Sequence, residues 1–163
     1  MANLCDILSG GSYPVRPAGP VVLFIGYDTS PFYFVQFVLL FNVRIFKYPR
    51  FNRFVGKEGI TDTQLREMVN QLEAGQADAD LGGNVYKVRT ARSGEGKSGG
   101  YRVIVYFRNK FRTFFVYGFA KSDRGNIDES ELRAFKLDAK DQFALTDEQI
   151  AVRLKNGTLL EVL

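Results

Sequence analysis

The chain of 163 residues contains no histidine and no tryptophan, and a single cysteine, Cys5. Without histidine, catalytic triads with a His base and His-ligated metals are excluded. One thiol cannot form an internal disulfide or a thiolate zinc site, and it suits a reducing cytosol. Any catalysis must therefore run on Lys, Arg, Tyr, Asp, Glu or Ser. Hydrophobic residues make up 45% and charged residues 25% of the chain, the balance of a globular domain with a packed core. The length allows one domain plus an appendage.

Charge is unevenly spread behind a modest net +4. Residues 1–43 carry Arg16 against Asp6 and Asp28, residues 44–127 carry 16 bases against 8 acids, and residues 128–163 carry 5 against 8. Within 84–124, ten Lys/Arg face Glu95 and Asp123 alone. A polyanion is the natural partner of such a segment, although basic surface also serves plain solubility.

The first 42 residues read unlike the rest. A Gly/Pro/Ser stretch from Ser9 to Pro20 precedes an apolar run from Val21 to Val43, which Asp28 and Pro31 interrupt. Its clean part, Phe32–Phe41, is about half the ~20 residues of a transmembrane helix. The basic n-region and small-residue cleavage site of a secretory signal are lacking. The expectation is a non-spanning extension over 1–42, with membrane association disfavoured. Val43 opens the regular part like the start of a domain. Because GTG initiates translation in bacteria but reads as Val inside a longer frame, Val43 is a candidate initiator, which the genomic codon at this position decides.

From Val43 the pattern predicts an α+β domain in the order βααβββ, followed by C-terminal helices. Arg44–Tyr48 alternates as a strand that Pro49 ends, and Phe51, Phe54 and Val55 mark a short helix broken by Gly56 and Gly59. Thr61 and Gln64 form a T-x-x-Q capping box, with Leu65, Met68, Val69 and Leu72 on one helical face that ends near Gly75. Val85–Arg89, Tyr101–Phe107 and Thr113–Phe119 are rich in β-branched and aromatic residues and predict strands paired as antiparallel hairpins. Asp128–Phe143 and Thr146–Asn156 return to helical spacing, the second opening with another T-x-x-Q box and stopping at Gly157.

Two motifs are set aside. Gly96-Lys97-Ser98 lies in a Gly-rich loop, but the first glycine of a phosphate-binding loop would fall on Ala91, and the loop joins strands instead of opening a helix. Its better reading is a loop that presents Lys97 to a phosphate. Asp78 and Asp80 lack the later ligands of a calcium loop and read as turn residues.

Alternation places Lys87 and Arg89 on one strand face, opposite Tyr86 and Val88. Arg102, Ile104 and Tyr106 share a face opposite Tyr101, Val103, Val105 and Phe107, and Thr113, Phe115, Tyr117 and Phe119 alternate in turn. One sheet face should pack on the capped helix, and the other mixes Lys, Arg and Tyr. Cations beside aromatic rings hold single-stranded RNA, and a solvated charged face is the plain alternative.

VYKVRTARSGEGKSGGYRVIVYF, followed by FFVYGFAKSDRGNI, resembles the RelE/HigB superfamily of type II toxin-antitoxin toxins, and RIFKYPRFNRF resembles the start of its HigB-like branch. The resemblance spans about residues 43–163, with 43–127 as the RelE-like domain and 128–163 as its helical extension. It implies a small antiparallel sheet with N-terminal helices packed on it, a cytoplasmic location, a cognate antitoxin, and cleavage of mRNA on the ribosome without metal or cofactor. By the same resemblance, Lys87, Arg89, Arg102 and Lys121 fall on catalytic positions, and Arg92, Lys97, Tyr106, Tyr117 and Arg124 are the expected RNA contacts around them. Where the family has Gly-Lys-Arg this chain has Ala120-Lys121-Ser122, so Arg124 stands in for the missing arginine. The family's late tyrosine has no counterpart near Asp128, which leaves Tyr117 or Tyr106 to replace it. Two alternatives stay open: a non-catalytic ParE-like toxin acting on a protein such as a topoisomerase, and an inactive homologue that binds antitoxin alone.

Overall fold

A computed structural model describes residues 21–23, 38–40, 43–91, 100–108 and 111–162. The chain divides into two compact units between Asn42 and Val43. In the first, Val21–Leu23 (β1) pairs antiparallel with Val38–Leu40 (β2), Val21 standing opposite Leu40. Among the described residues no helix is long and apolar enough to cross a membrane.

The second unit opens with β3 (Arg44–Lys47), whose Ile45 and Phe46 are buried. Pro49 cannot extend a ladder and instead takes the first position of α1 (Pro49–Glu58), where its missing N–H leaves nothing unpaired. Phe51 and Val55 bury its inner face, and Gly59 closes it with φ +68°, a conformation costly for any residue with a Cβ. α2 (Asp62–Glu73) begins at the predicted capping box: Thr61 Oγ1 accepts from the Gln64 N–H at 3.2 Å, and Gln64 Oε1 accepts from the Thr61 N–H at 2.8 Å. Its four expected apolar residues are all buried.

The strands β4 (Ala79–Asp80), β5 (Val85–Thr90), β6 (Tyr101–Phe107) and β7 (Arg112–Ala120) follow, then α3 (Glu129–Ala144), α4 (Asp147–Lys155) and β8 (Leu160–Glu161). The sheet order is β4-β5-β6-β7-β3-β8. The expected α+β class and the β5-β6-β7 hairpins hold. The sheet is nevertheless mixed, because β3 runs parallel to β7, with Phe46 opposite Phe114. It is also wider than expected, because the two-residue strands β4 and β8 cover its edges; segments this short carry no periodicity to read.

Both faces of the sheet are packed, where the sequence had predicted one. α1 and α2 lie on a core containing Phe51, Leu65, Met68, Val88, Val103 and Phe115. The C-terminal helices lie on a second core built from Phe46, Val85, Ile104, Phe114, Ala139 and Ile150. At roughly 25 cal/mol per Å² of apolar surface removed from water, each core is a substantial source of stability. α3 and α4 start at capping boxes, Asp128 with Glu131 and Thr146 with Gln149. α3 is fixed by a polar cluster centred on Asp138, whose Oδ2 accepts from the Tyr48 and Tyr106 hydroxyls at 2.9 Å each. Its Oδ1 accepts from Gln142 Nε2 at 2.8 Å, and Gln142 Oε1 accepts from Arg153 Nη1 at 3.0 Å, which ties in α4.

One irregularity decides which side chains share a face. Ile104 stands opposite Tyr117, but the next residue, Val105, stands opposite Phe115, so Val116 is an extra residue in β7. Such a bulge interrupts strict alternation. Phe115 therefore packs under α1, whereas Val116, Tyr117 and Phe119 join the opposite face. The expectation that Phe115, Tyr117 and Phe119 alternate on one side is corrected accordingly.

Candidate functional site

On the sheet face away from α1 and α2, the register lines up two lateral rows. Lys87 is opposite Ile104, and Ile104 is opposite Tyr117. In the next row Arg89 is opposite Arg102, and Arg102 is opposite Phe119. Directly opposed side chains in a sheet have Cβ atoms about 5 Å apart, so Lys87, Arg89, Arg102 and Tyr117 form one continuous patch. Lys121 is exposed just past the end of β7.

Arg102 occupies the middle of this patch and is half-buried. Its Nε and Nη1 are shielded from solvent and have no hydrogen-bond partner among the described residues. A buried donor left unpaired costs about 1–3 kcal/mol, and more when charged, so this guanidinium is poised for an acceptor from outside. Its cross-strand neighbour has the same charge, which adds repulsion. Arg89 leans instead to Asp78, Nε to Oδ1 at 2.8 Å, with its side chain 61% exposed. Asp80 closes a turn by accepting from the Gly82 N–H at 2.8 Å, the turn role the sequence suggested, whereas Asp78 serves as the partner of Arg89.

The segment between β7 and α3 folds beside the patch. Lys87 Nζ donates to Asn126 Oδ1 at 3.4 Å, and Arg124 Nε donates to the Asn126 carbonyl at 2.7 Å. Arg124 also grips both oxygens of Glu131 and lies 3.8 Å from Asp128. The Arg124 hydrogen bond, chiefly, holds the Glu131 carboxyl below its ordinary value. The hydrogen bond from Ser130, chiefly, lowers Asp128. Arg124 thus already carries acidic partners.

The aromatic positions separate cleanly. Tyr117 is half-buried, with the Arg50 guanidinium 5.0 Å from its ring centroid and the rings of Phe119 and Phe135 at 5.8 and 6.2 Å. Tyr106, expected as an RNA contact, is fully buried, its hydroxyl bound to Asp138. It offers no face to a base, and that expectation is corrected: α3 covers it. Burial first, then the Asp138 charge, raises the Tyr106 hydroxyl pKa far above its ordinary value, and the same causes raise Tyr48. Arg92 and Lys97 lie outside the described residues.

Three neighbours of the patch escaped sequence reasoning. Arg50 reaches Tyr117 from α1, 67 positions away, and no local signal could have linked them. Asn126 sits in the polar SDRGN run just ahead of a capping box, which reads as loop chemistry. Phe135 lies at helical spacing in α3, which marks it as helix core and not as a neighbour of the patch. Among the described residues no group of three or more acidic, Cys or His side chains converges to hold a metal. The arrangement can bind a phosphate between Arg102 and Lys87 while an aromatic ring stands beside it.

Residues 43–162 match the family described as RelE toxin of the RelE/RelB toxin-antitoxin system. No curated protein matches the chain.

Proposed function

This chain belongs to the RelE toxin family, the toxin half of a toxin-antitoxin system, and on that premise we propose that its basic sheet face binds mRNA on the ribosome and cleaves it. An antitoxin partner follows from the family. The proposed reaction takes place in the cytoplasm and makes residues 43–163 the working toxin, with 128–163 an integral helical layer and 1–42 an extension.

RNA carries its own nucleophile. The 2′-OH loses its proton and attacks the adjacent phosphorus, the P–O5′ bond breaks, and O5′ gains a proton, leaving a 2′,3′-cyclic phosphate and a free 5′-OH. The protein must hold the reacting atoms in line, stabilise the extra negative charge on the phosphoryl oxygens and help move two protons. Arg102 is permanently charged and supplies the central clamp. Lys121, exposed at the strand end, adds a second cation, and Arg89 does so by releasing Asp78. Lys87, oriented by Asn126, is the member of the patch able to exchange a proton with a reacting oxygen. Tyr117 stacks on a neighbouring base. The observation that carries this reading is the half-buried Arg102 guanidinium with two donors left unpartnered among the described residues.

The test uses the full chain with programmed ribosomes. Cleavage of translated mRNA is expected, with free mRNA left intact, and combined Lys87→Ala and Arg102→Ala should lower the rate by at least about 100-fold, the scale of losing a charge-stabilising donor. Unchanged toxicity of that double variant would overturn the reading. Intact mRNA with a blocked topoisomerase would favour the non-catalytic toxin, and absence of any growth effect the antitoxin-binding homologue.

A further inference from the structure

We propose that the outward face of α1, made of Arg50, Arg53 and Lys57, is a second nucleic-acid contact: a track for the phosphate backbone of the same RNA strand that occupies the sheet-face site. This inference rests on that site being an RNA site, and it extends the contact from the sheet to the helix α1.

At about 100° per residue, positions 50, 53 and 57 fall within one sector of about 60°. That sector is turned away from Phe51 and Val55, which are buried against the sheet. Arg50, Arg53 and Lys57 are all exposed, and Lys57 has 81% of its side chain in solvent. Arg53 has no acidic partner among the described residues. The helix has one acid, Glu58, which accepts from the Tyr101 hydroxyl at 2.5 Å and is only 14% exposed, with Lys57 Nζ at 3.6 Å. The outward face is therefore cationic with little to neutralise it, over a length of about 10 Å at 1.5 Å per residue. That is enough to meet more than one phosphate.

Two contacts connect the track to the site. Arg50, its first member, lies over the Tyr117 ring at 5.0 Å, the ring proposed to stack on a base. Gly118, next to Tyr117, lets α1 lie against β7: a Cβ there would sit 2.4 Å from the Phe54 ring. A strand stacked on Tyr117 thus leaves the sheet beside Arg50, and its backbone meets Arg53 and then Lys57. Cations arranged this way contribute sequence-independent affinity through counterion release.

The experiment measures binding of fluorescently labelled oligouridine, about 4 and about 12 nucleotides long, to the full chain across a salt series. The Arg53→Gln/Lys57→Gln double variant is compared with wild type and with Arg102→Gln. Removing two backbone contacts should reduce the log-log salt slope for the long RNA by about 1.4, at about 0.7 per single-strand contact, and weaken it about tenfold or more at 0.1 M salt. The short RNA should be unaffected. Both track positions are exposed on a helix surface, and an unchanged thermal melt verifies folding. Wild-type slope and affinity for the long RNA in the double variant would overturn the track, as would equal losses on both lengths. Insensitivity of both lengths to Arg102→Gln would instead overturn the sheet-face reading, and failure of wild type to bind either RNA would overturn both.

Discussion

Arg102 stands directly opposite Arg89 across β5 and β6, and the two guanidiniums meet different fates. Arg89 finds Asp78 at 2.8 Å, whereas Arg102 keeps two shielded nitrogens without an acceptor among the described residues. Adjacent like charges, one of them unsatisfied, work against folding, and they are explained if an anionic ligand supplies the missing acceptor. Local instability of this kind concentrates where a protein binds or reacts.

Arg102→Met should abolish mRNA cleavage while leaving thermal stability unchanged or raising it, by about 1 kcal/mol, because an apolar side chain of similar length removes an unpaired buried charge. Calorimetry on the full chain checks this. A fall of several degrees in Tm would mean that the guanidinium is well satisfied in the free protein.

The two tyrosines of the site region should respond in opposite ways. Tyr117→Ala should weaken single-stranded RNA binding by about 1–3 kcal/mol, the value of one base stacked on an aromatic ring. Tyr106→Phe should leave RNA affinity alone and cost about 1 kcal/mol of stability, since it deletes a hydroxyl that Asp138 accepts. Anisotropy titrations and urea melts on both variants separate the effects, and RNA binding lost with Tyr106→Phe would contradict the buried assignment.

Alkali should unfold the domain through Asp138. In the fold, Tyr48 and Tyr106 hold their protons well above the ordinary value of 10.0, so their contribution to stability is complete below pH 10 and is lost as pH rises beyond it. Absorbance at 295 nm should show at least two of the eight tyrosines, Tyr48 and Tyr106 among them, failing to ionise until the chain unfolds. The Tyr48→Phe/Tyr106→Phe variant should have a lower Tm at pH 8 and a shallower decline above pH 10.

Gly118→Ala should destabilise the domain by about 1–3 kcal/mol, the range for forcing extra volume into a packed contact. The added Cβ would meet the Phe54 ring at 2.4 Å and push α1 off β7. The chemical-denaturation midpoint should fall, and RNA affinity should fall with it, because Arg50 would move away from Tyr117. A neutral effect on both would show that Phe54 repacks freely.

Local chemistry made much of this protein legible before any fold was known. Each capping box is closed by residues three positions apart, and the buried face of α2 follows from a period of 3.6, so Thr61, Gln64, Leu65 and Leu72 were readable in the chain itself. Alternation likewise put Lys87 with Arg89 and Arg102 with Tyr106 on shared strand faces. What periodicity cannot contain is an exception to itself or the identity of whatever lies on top. The extra residue Val116 turns Tyr117 and Phe119 toward Arg102 and leaves Phe115 under α1, and α3 buries Tyr106 while Tyr117 stays partly exposed. Arg50 joins the site because a missing side chain at Gly118 lets a distant helix approach. The sequence by itself determined the elements, their polar and apolar sides and the supply of cations without histidine. Tertiary structure decided which cations remain unpaired and which tyrosine is open, because pairing and burial depend on contacts between segments far apart in the chain.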